Sequence, residues 1–142
     1  VYIWEKYQKI QYGLFPTKFD HSIRMDLRDG ESIQLDRNLK DFDALADHLQ
    51  NSITKSQLPI ARDEIKRGKT IDFKLFKLNN TGIWYQDELL PWHEVDRIII
   101  NLTRVQVQKK GKQWFNWADE KGWNLPNLRL FALIANEYTR VV

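Results

Sequence analysis

From Ile23 to Leu35 the chain alternates apolar Ile23, Met25 and Leu27 with polar neighbours, breaks at Asp29-Gly30, and resumes the alternation at Ile33 and Leu35. Period-two alternation around Asp-Gly predicts a β-hairpin, because Asp-Gly readily supplies the positive φ angles of a tight turn. The period then changes. Between Asp41 and Ile53, the residues Phe42, Leu45, Ala46, Leu49 and Ile53 recur at the spacing of one helix face, so an amphipathic helix is expected to pack on the hairpin. Leu58 to Arg67 reads as a second, short helix. Pro59 suits a first helical position, Leu58, Ala61 and Ile65 share a face, and Gly68 can close the end.

Strand patterning returns from Thr70 to Leu78, where Ile71, Phe73 and Leu75 alternate with Asp72, Lys74 and Lys77, and Asn79-Asn80-Thr81-Gly82 marks a turn. Ile83 to Glu88 is expected to pair back, Leu90-Pro91-Trp92 to break the ladder, and Val95 to Leu102 to form another strand. A second hairpin follows, Val105 to Gln108 and Trp114 to Trp117, reversed at Lys109-Lys110-Gly111-Lys112. Pro126 then opens a helix whose Leu128, Phe131, Ile134, Ala135 and Tyr138 make one apolar stripe.

The two halves share an order. Arg24-Met25-Asp26-Leu27 leads to Gly30 and a helix, and Arg104-Val105-Gln106-Val107 leads to Gly111 and a helix. This reads as a degenerate tandem repeat in an α+β chain: a partial unit at 1–56, a helical connector at 57–68 and a fuller unit at 69–142. Few residues precede Ile23, so the first unit is taken as N-terminally incomplete, with its leading strands expected before Val1.

A β-meander ending in a hairpin and closed by one C-terminal amphipathic helix resembles the plan of pleckstrin-homology-like (PH-like) domains. Phe73, Gly82-Ile83, Leu90-Pro91-Trp92 with Glu94-Val95, then Trp117 and Pro126-Asn127 resemble an uncharacterised bacterial family of PH-like proteins of tandem-repeat type. The resemblance covers the second unit well and the first weakly, and its motifs mark fold positions. It implies two tandem PH-like units, and it implies a cytoplasmic domain of a membrane-associated protein, since members often stand beside predicted membrane spans. It carries over no catalytic residue. Phosphoinositide-binding PH domains cluster basic residues around their first hairpin. The corresponding turn here is expected at Asn79-Asn80-Thr81-Gly82, which has none, so inositol phosphate recognition is not expected.

Composition narrows the class. In 142 residues, 42% are hydrophobic and 13% aromatic, enough to build a packed core. No apolar run approaches the length of a membrane span. The chain begins at Val1, and any membrane anchor is expected elsewhere in a longer parent protein. Without cysteine there is no disulfide framework, thiol nucleophile or Cys-based zinc site, which fits a cytoplasmic setting. The net charge of +3 is uneven: residues 1–68 carry eleven Lys/Arg against eleven Asp/Glu, and residues 69–142 carry eleven against eight, together with five of the six tryptophans. A contact surface is therefore expected on the second half.

Candidate chemistry is sparse. His21, His48 and His93 lie in different expected elements without metal-ligand spacing, and His93-Glu94 comes with no nucleophile motif. Gly82, Gly111 and Gly122 each stand alone among turn residues, so no phosphate-cradling loop is expected. Leu90-Pro91-Trp92 reads as a sheet corner with Trp92 in the core. No metal, cofactor or catalytic residue is expected. The surface candidate is the basic tip Lys109, Lys110, Lys112 with Trp114. The expected function is a non-catalytic interaction or scaffold module that meets a protein partner or makes a weak contact with an anionic membrane. Nucleic acid is not expected, because one short basic tip neutralises few phosphates. The alternative is a small-ligand or enzymatic function in a cleft between the two units.

Overall fold

The computed structural model describes residues 1–10, 18–101, 103–112 and 114–142. Strand β1 (Tyr2–Ile10) pairs antiparallel with β2 (Lys18–Asp26), and β2 with β3 (Ser32–Asp36), in a three-stranded sheet. The Asp29-Gly30 turn falls between β2 and β3, as the alternation predicts, with Gly30 at φ 89°. Ile3 lies opposite Met25, and both close a small core with Ile23 and with Phe42 and Ala46 of the following helix.

That helix, α1 (Phe42–Lys66), is continuous. The two helices expected from the sequence, one ending near Ile53 and one in the connector, are therefore a single element with Pro59 inside it. Proline removes one N–H and crowds the preceding turn. Packing on both sides of it keeps the helix whole: Phe42 and Ala46 sit in the first core, Ala61 and Ile65 in the larger one. Gly68 closes the end at φ 78°, its N–H donating to the Ile65 carbonyl at 2.9 Å while the Lys69 N–H donates to the Glu64 carbonyl at 2.9 Å. This is a Schellman arrangement, in which the left-handed residue is almost always glycine.

Strands β4 (Ile71–Phe73), β5 (Phe76–Leu78), β6 (Gly82–Tyr85) and β7 (Glu88–Pro91) form a four-stranded antiparallel meander. The single strand expected from Thr70 to Leu78 is a hairpin instead, with Phe73 opposite Phe76 and Lys74 at φ 70° in the turn. A continuous strand would send Phe73 and Phe76 to opposite faces, whereas doubling back buries both on one face. Ile83 to Glu88 likewise folds back, at Gln86 and Asp87 with φ 48° and 64°. The Asn79 turn is where the sequence places it, the Asn79 Oδ1 accepting from the N–H groups of Thr81 at 2.9 Å and Gly82 at 3.2 Å. Gly82 belongs to β6 itself, where an added Cβ would lie 2.3 Å from the Leu90 carbonyl oxygen. Its role is close strand approach.

Pro91 ends β7, and Trp92–Glu94 form a 3-10 turn. Trp92 is half-buried at the edge of the core, stacked on Tyr138 at 4.9 Å between centroids, with its indole N–H donating to the Asn79 carbonyl at 2.8 Å. The expected sheet corner is thus present. Strands β8 (Val95–Ile100), β9 (Arg104–Lys109) and β10 (Asn116–Lys121) make a second meander, and β11 (Arg140–Val141) adds parallel to β8 after helix α2 (Leu128–Ala135). Leu102, assigned from the sequence to the β8 strand, lies outside the described residues. The last hairpin strand starts at Asn116 and runs to Lys121, so Trp114 and Phe115 fall in the turn and the strand expected at Trp114 to Trp117 is displaced.

The larger core gathers Phe73, Phe76, Ile83, Leu90, Ile98 and Val107 of the two sheets against Phe131 and Ile134 of α2. The chain is α+β, with two helices and three separate sheets that no ladder among the described residues closes into a barrel. Meander then helix occurs twice, as β1-β2-β3-α1 and β8-β9-β10-α2, although α1 has 25 residues and α2 has 8, and the β4–β7 sheet precedes only the second. The two parts meet at Asn127, which is 8% exposed: the Ile3 N–H donates to its Oδ1 at 2.8 Å, and its own N–H donates to the Ile3 carbonyl at 2.7 Å.

Candidate functional site

The turn between β9 and β10 carries all four surface candidates, but not on equal terms. Lys109 ends β9, and strand pairing brings it beside Glu94 of the 3-10 turn, Nζ to Oε2 at 2.7 Å. That hydrogen bond and the lysine charge hold the Glu94 carboxyl below the usual carboxylate range. Lys109 is therefore a neutralised cation. Lys110 is anchored only through its backbone, its N–H donating to the Glu94 carbonyl at 2.8 Å. Lys112 lies 5.8 Å from the Phe115 ring centroid. Among the described residues neither Lys110 nor Lys112 has a carboxylate partner, so the free charge of the tip is two lysines rather than three.

Trp114 is 83% exposed and Phe115 is 50% exposed. A strand over the expected Trp114 to Trp117 would put Phe115 and Trp117 on one face and Trp114 on the other. The structure departs from it because the strand begins only at Asn116, leaving both turn aromatics in water while Trp117 packs toward the core against Tyr85 at 5.8 Å. The two adjacent rings and the two free lysines make one exposed apolar and basic patch on the turn.

Sorting the tryptophans sharpens this. Trp4 donates to Asp26 at 2.7 Å, Trp92 and Trp117 pack on the core, and Trp123 lies under Lys121 at 5.2 Å. Among the described residues, the two that neither pack on a core, nor meet another ring or cation, nor hydrogen-bond through the indole are Trp114 and Trp84. Trp84 faces outward from β6, between Lys77 of β5 and Leu89 of β7. A groove of about 530 Å³ lies over it, lined among others by Lys74, Lys77 and Asp87. The first turn of the β4–β7 sheet is Lys74-Leu75, ahead of Asn79-Asn80-Thr81-Gly82, and it carries a basic residue.

The three histidines stand in different elements: His21 in β2, His48 in α1 and His93 in the 3-10 turn. His93 is exposed, with Nε2 3.9 Å from Glu94 Oε1. His21 is 4% exposed, under the Phe42 ring at 4.9 Å, with Nε2 2.7 Å from Glu5 Oε1 and Nδ1 3.1 Å from Asp43 Oδ1. Sequence spacing hid this group because β1–β2 pairing and the start of α1 assemble it from three elements. The group ties the first sheet to the first turn of α1. Among the described residues no cluster of His, Cys, Asp or Glu has the make-up of a metal site. No helix among them is long and apolar enough to cross a membrane.

No curated protein and no solved structure matches the chain. The profile of a family of unknown function, DUF6585, matches residues 1–140, and the chain belongs to that family.

Proposed function

We propose that this chain is a non-catalytic interaction module that docks on an anionic membrane surface, such as the cytoplasmic leaflet, through the β9–β10 tip. The observation that carries this reading is the exposure of Trp114 and Phe115 on the same turn as Lys110 and Lys112, which have no carboxylate partner among the described residues. Indole and phenyl rings favour the headgroup zone, and each basic residue near an anionic surface adds about 1 kcal/mol of attraction. Two lysines and two rings give a weak, salt-sensitive contact, strengthened by any anchor on a longer parent chain.

We further read the second unit as PH-like. The meander β4–β7, the meander β8–β10 and α2 in that order support this, and the shorter β1-β2-β3-α1 succession supports a tandem relationship.

Co-sedimentation with anionic vesicles at low salt tests the docking. Wild type is expected to pellet in part and to be released by salt. The double variant Lys110→Gln/Lys112→Gln and the variant Trp114→Ala/Phe115→Ala are each expected to stay in the supernatant while keeping the wild-type melting temperature. Wild type remaining wholly soluble overturns the membrane reading and leaves the tip as a surface for a protein partner.

A further inference from the structure

We infer that the groove over Trp84 binds a small planar aromatic anion, independently of the β9–β10 tip. Its floor is a half-buried indole that neither core uses, set in the outward row Lys77, Trp84 and Leu89 across β5, β6 and β7. A tryptophan in a strand normally serves the core or a partner ring. This one is left with its face open to a groove of about 530 Å³, within the range of small-molecule sites.

Lys77 has no carboxylate partner among the described residues. Lys74, on the neighbouring turn, holds its ammonium 4.5 Å from the Tyr2 ring centroid and has no carboxylate partner among the described residues. Asp72, opposite Lys77 in the ladder, is engaged by the Lys74 backbone N–H at 2.6 Å. Thr70 and Asn79 line the groove as well, and the Asn79 Nδ2 donates to Thr70 Oγ1 at 3.1 Å, leaving the threonine hydroxyl proton free to donate. Asp87 also lines the groove and disfavours a second negative group. The ligand class that matches is an aromatic ring stacked on Trp84 with a single anionic group held by the lysines.

The protein labelled with 5-fluorotryptophan gives a direct readout, with the Trp84 signal assigned by Trp84→Phe. Titration with 1-naphthalenesulfonate is expected to move the Trp84 fluorine resonance saturably and leave those of Trp92 and Trp117 in place. Lys77→Gln, an exposed change, is expected to weaken binding about threefold, the size of one partly exposed charge contact. Naphthalene-1,5-disulfonate is expected to bind more weakly than the monosulfonate, because of Asp87. An absent or non-saturating Trp84 shift overturns the proposal. So does an equal response to uncharged naphthalenemethanol, which marks a merely apolar patch, or to inorganic phosphate, which marks an anion site without ring recognition. None of these outcomes bears on vesicle binding by the tip.

Discussion

Tyr85 on β6 donates its phenolic O–H to Glu120 Oε1 on β10 at 2.7 Å, joining the two four-stranded sheets at the point where its ring also lies on Phe76 and Trp117. Burial and the Glu120 carboxylate push the Tyr85 hydroxyl from its ordinary 10.0 up to about 12. A raised folded value stabilises the protein below the unfolded value, and that stability is lost as pH rises from about 10 through about 12. Tyr85→Phe should cost about 1 kcal/mol at neutral pH. In alkali the gap between wild type and variant should close, and ultraviolet titration should lose its latest tyrosinate step.

Phe131 makes an edge contact with Phe73 at 5.4 Å and a tilted one with Phe76 at 5.5 Å, and is wholly buried. Phe131→Ala should destabilise by about 3–5 kcal/mol through lost burial and the cavity left behind. Denaturant unfolding reads this, and an unchanged midpoint would place α2 outside the core.

Asn127 sits at φ 53° and exchanges two hydrogen bonds with Ile3, while its Nδ2 donates to the Val1 carbonyl at 3.2 Å. Asn127→Ala leaves the buried Ile3 N–H without its acceptor and strains the left-handed backbone, for a cost of about 2 kcal/mol. Hydrogen exchange should show β1 opening before the β8–β10 sheet in this variant. Equal protection of both would mean that this junction does not hold β1 in place.

Glu94 distinguishes a tip of two free lysines from one of three. Glu94→Gln removes the partner of Lys109 and should raise affinity for anionic vesicles about fivefold at low salt, the effect of one more cation near the surface. Lys109→Gln leaves the Glu94 carboxylate without its partner and should lower that affinity by a comparable factor. Acidification acts in the same direction as Glu94→Gln: the depressed Glu94 carboxyl keeps the pair above the ordinary value of 4.5, and the pair is lost as pH falls through the lower folded value, freeing Lys109.

Much of the architecture was legible where local chemistry and period agree. The β2–β3 turn announces itself by Asp29-Gly30, the end of α1 by Gly68, and α2 by the stripe through Leu128, Phe131 and Ile134. The strand β1 was not legible, because its inward face carries Glu5 for a buried contact with His21 and so breaks the apolar alternation. The turns at Lys74-Leu75 and Gln86-Asp87 lack the glycine or asparagine that signals positive φ, and the packing of Phe73, Phe76 and Tyr85 overrides their preference. Strand β11 exists only through its long-range partner β8. At the tip, the basic turn with Trp114 was readable. The pairing of Lys109 with Glu94 required the β8–β9 register, and the outward Trp84 gave no sign, since a tryptophan in a strand reads as core.

The most direct test of the docking reading is the fluorine spectrum of the 5-fluorotryptophan protein with anionic vesicles at low salt, with Trp114 assigned by Trp114→Phe. Insertion of the tip predicts that the Trp114 resonance broadens and shifts first, while Trp92 and Trp117 hold their positions, and that salt reverses the change. A Trp114 resonance that stays sharp and unmoved as vesicles are added would contradict the account.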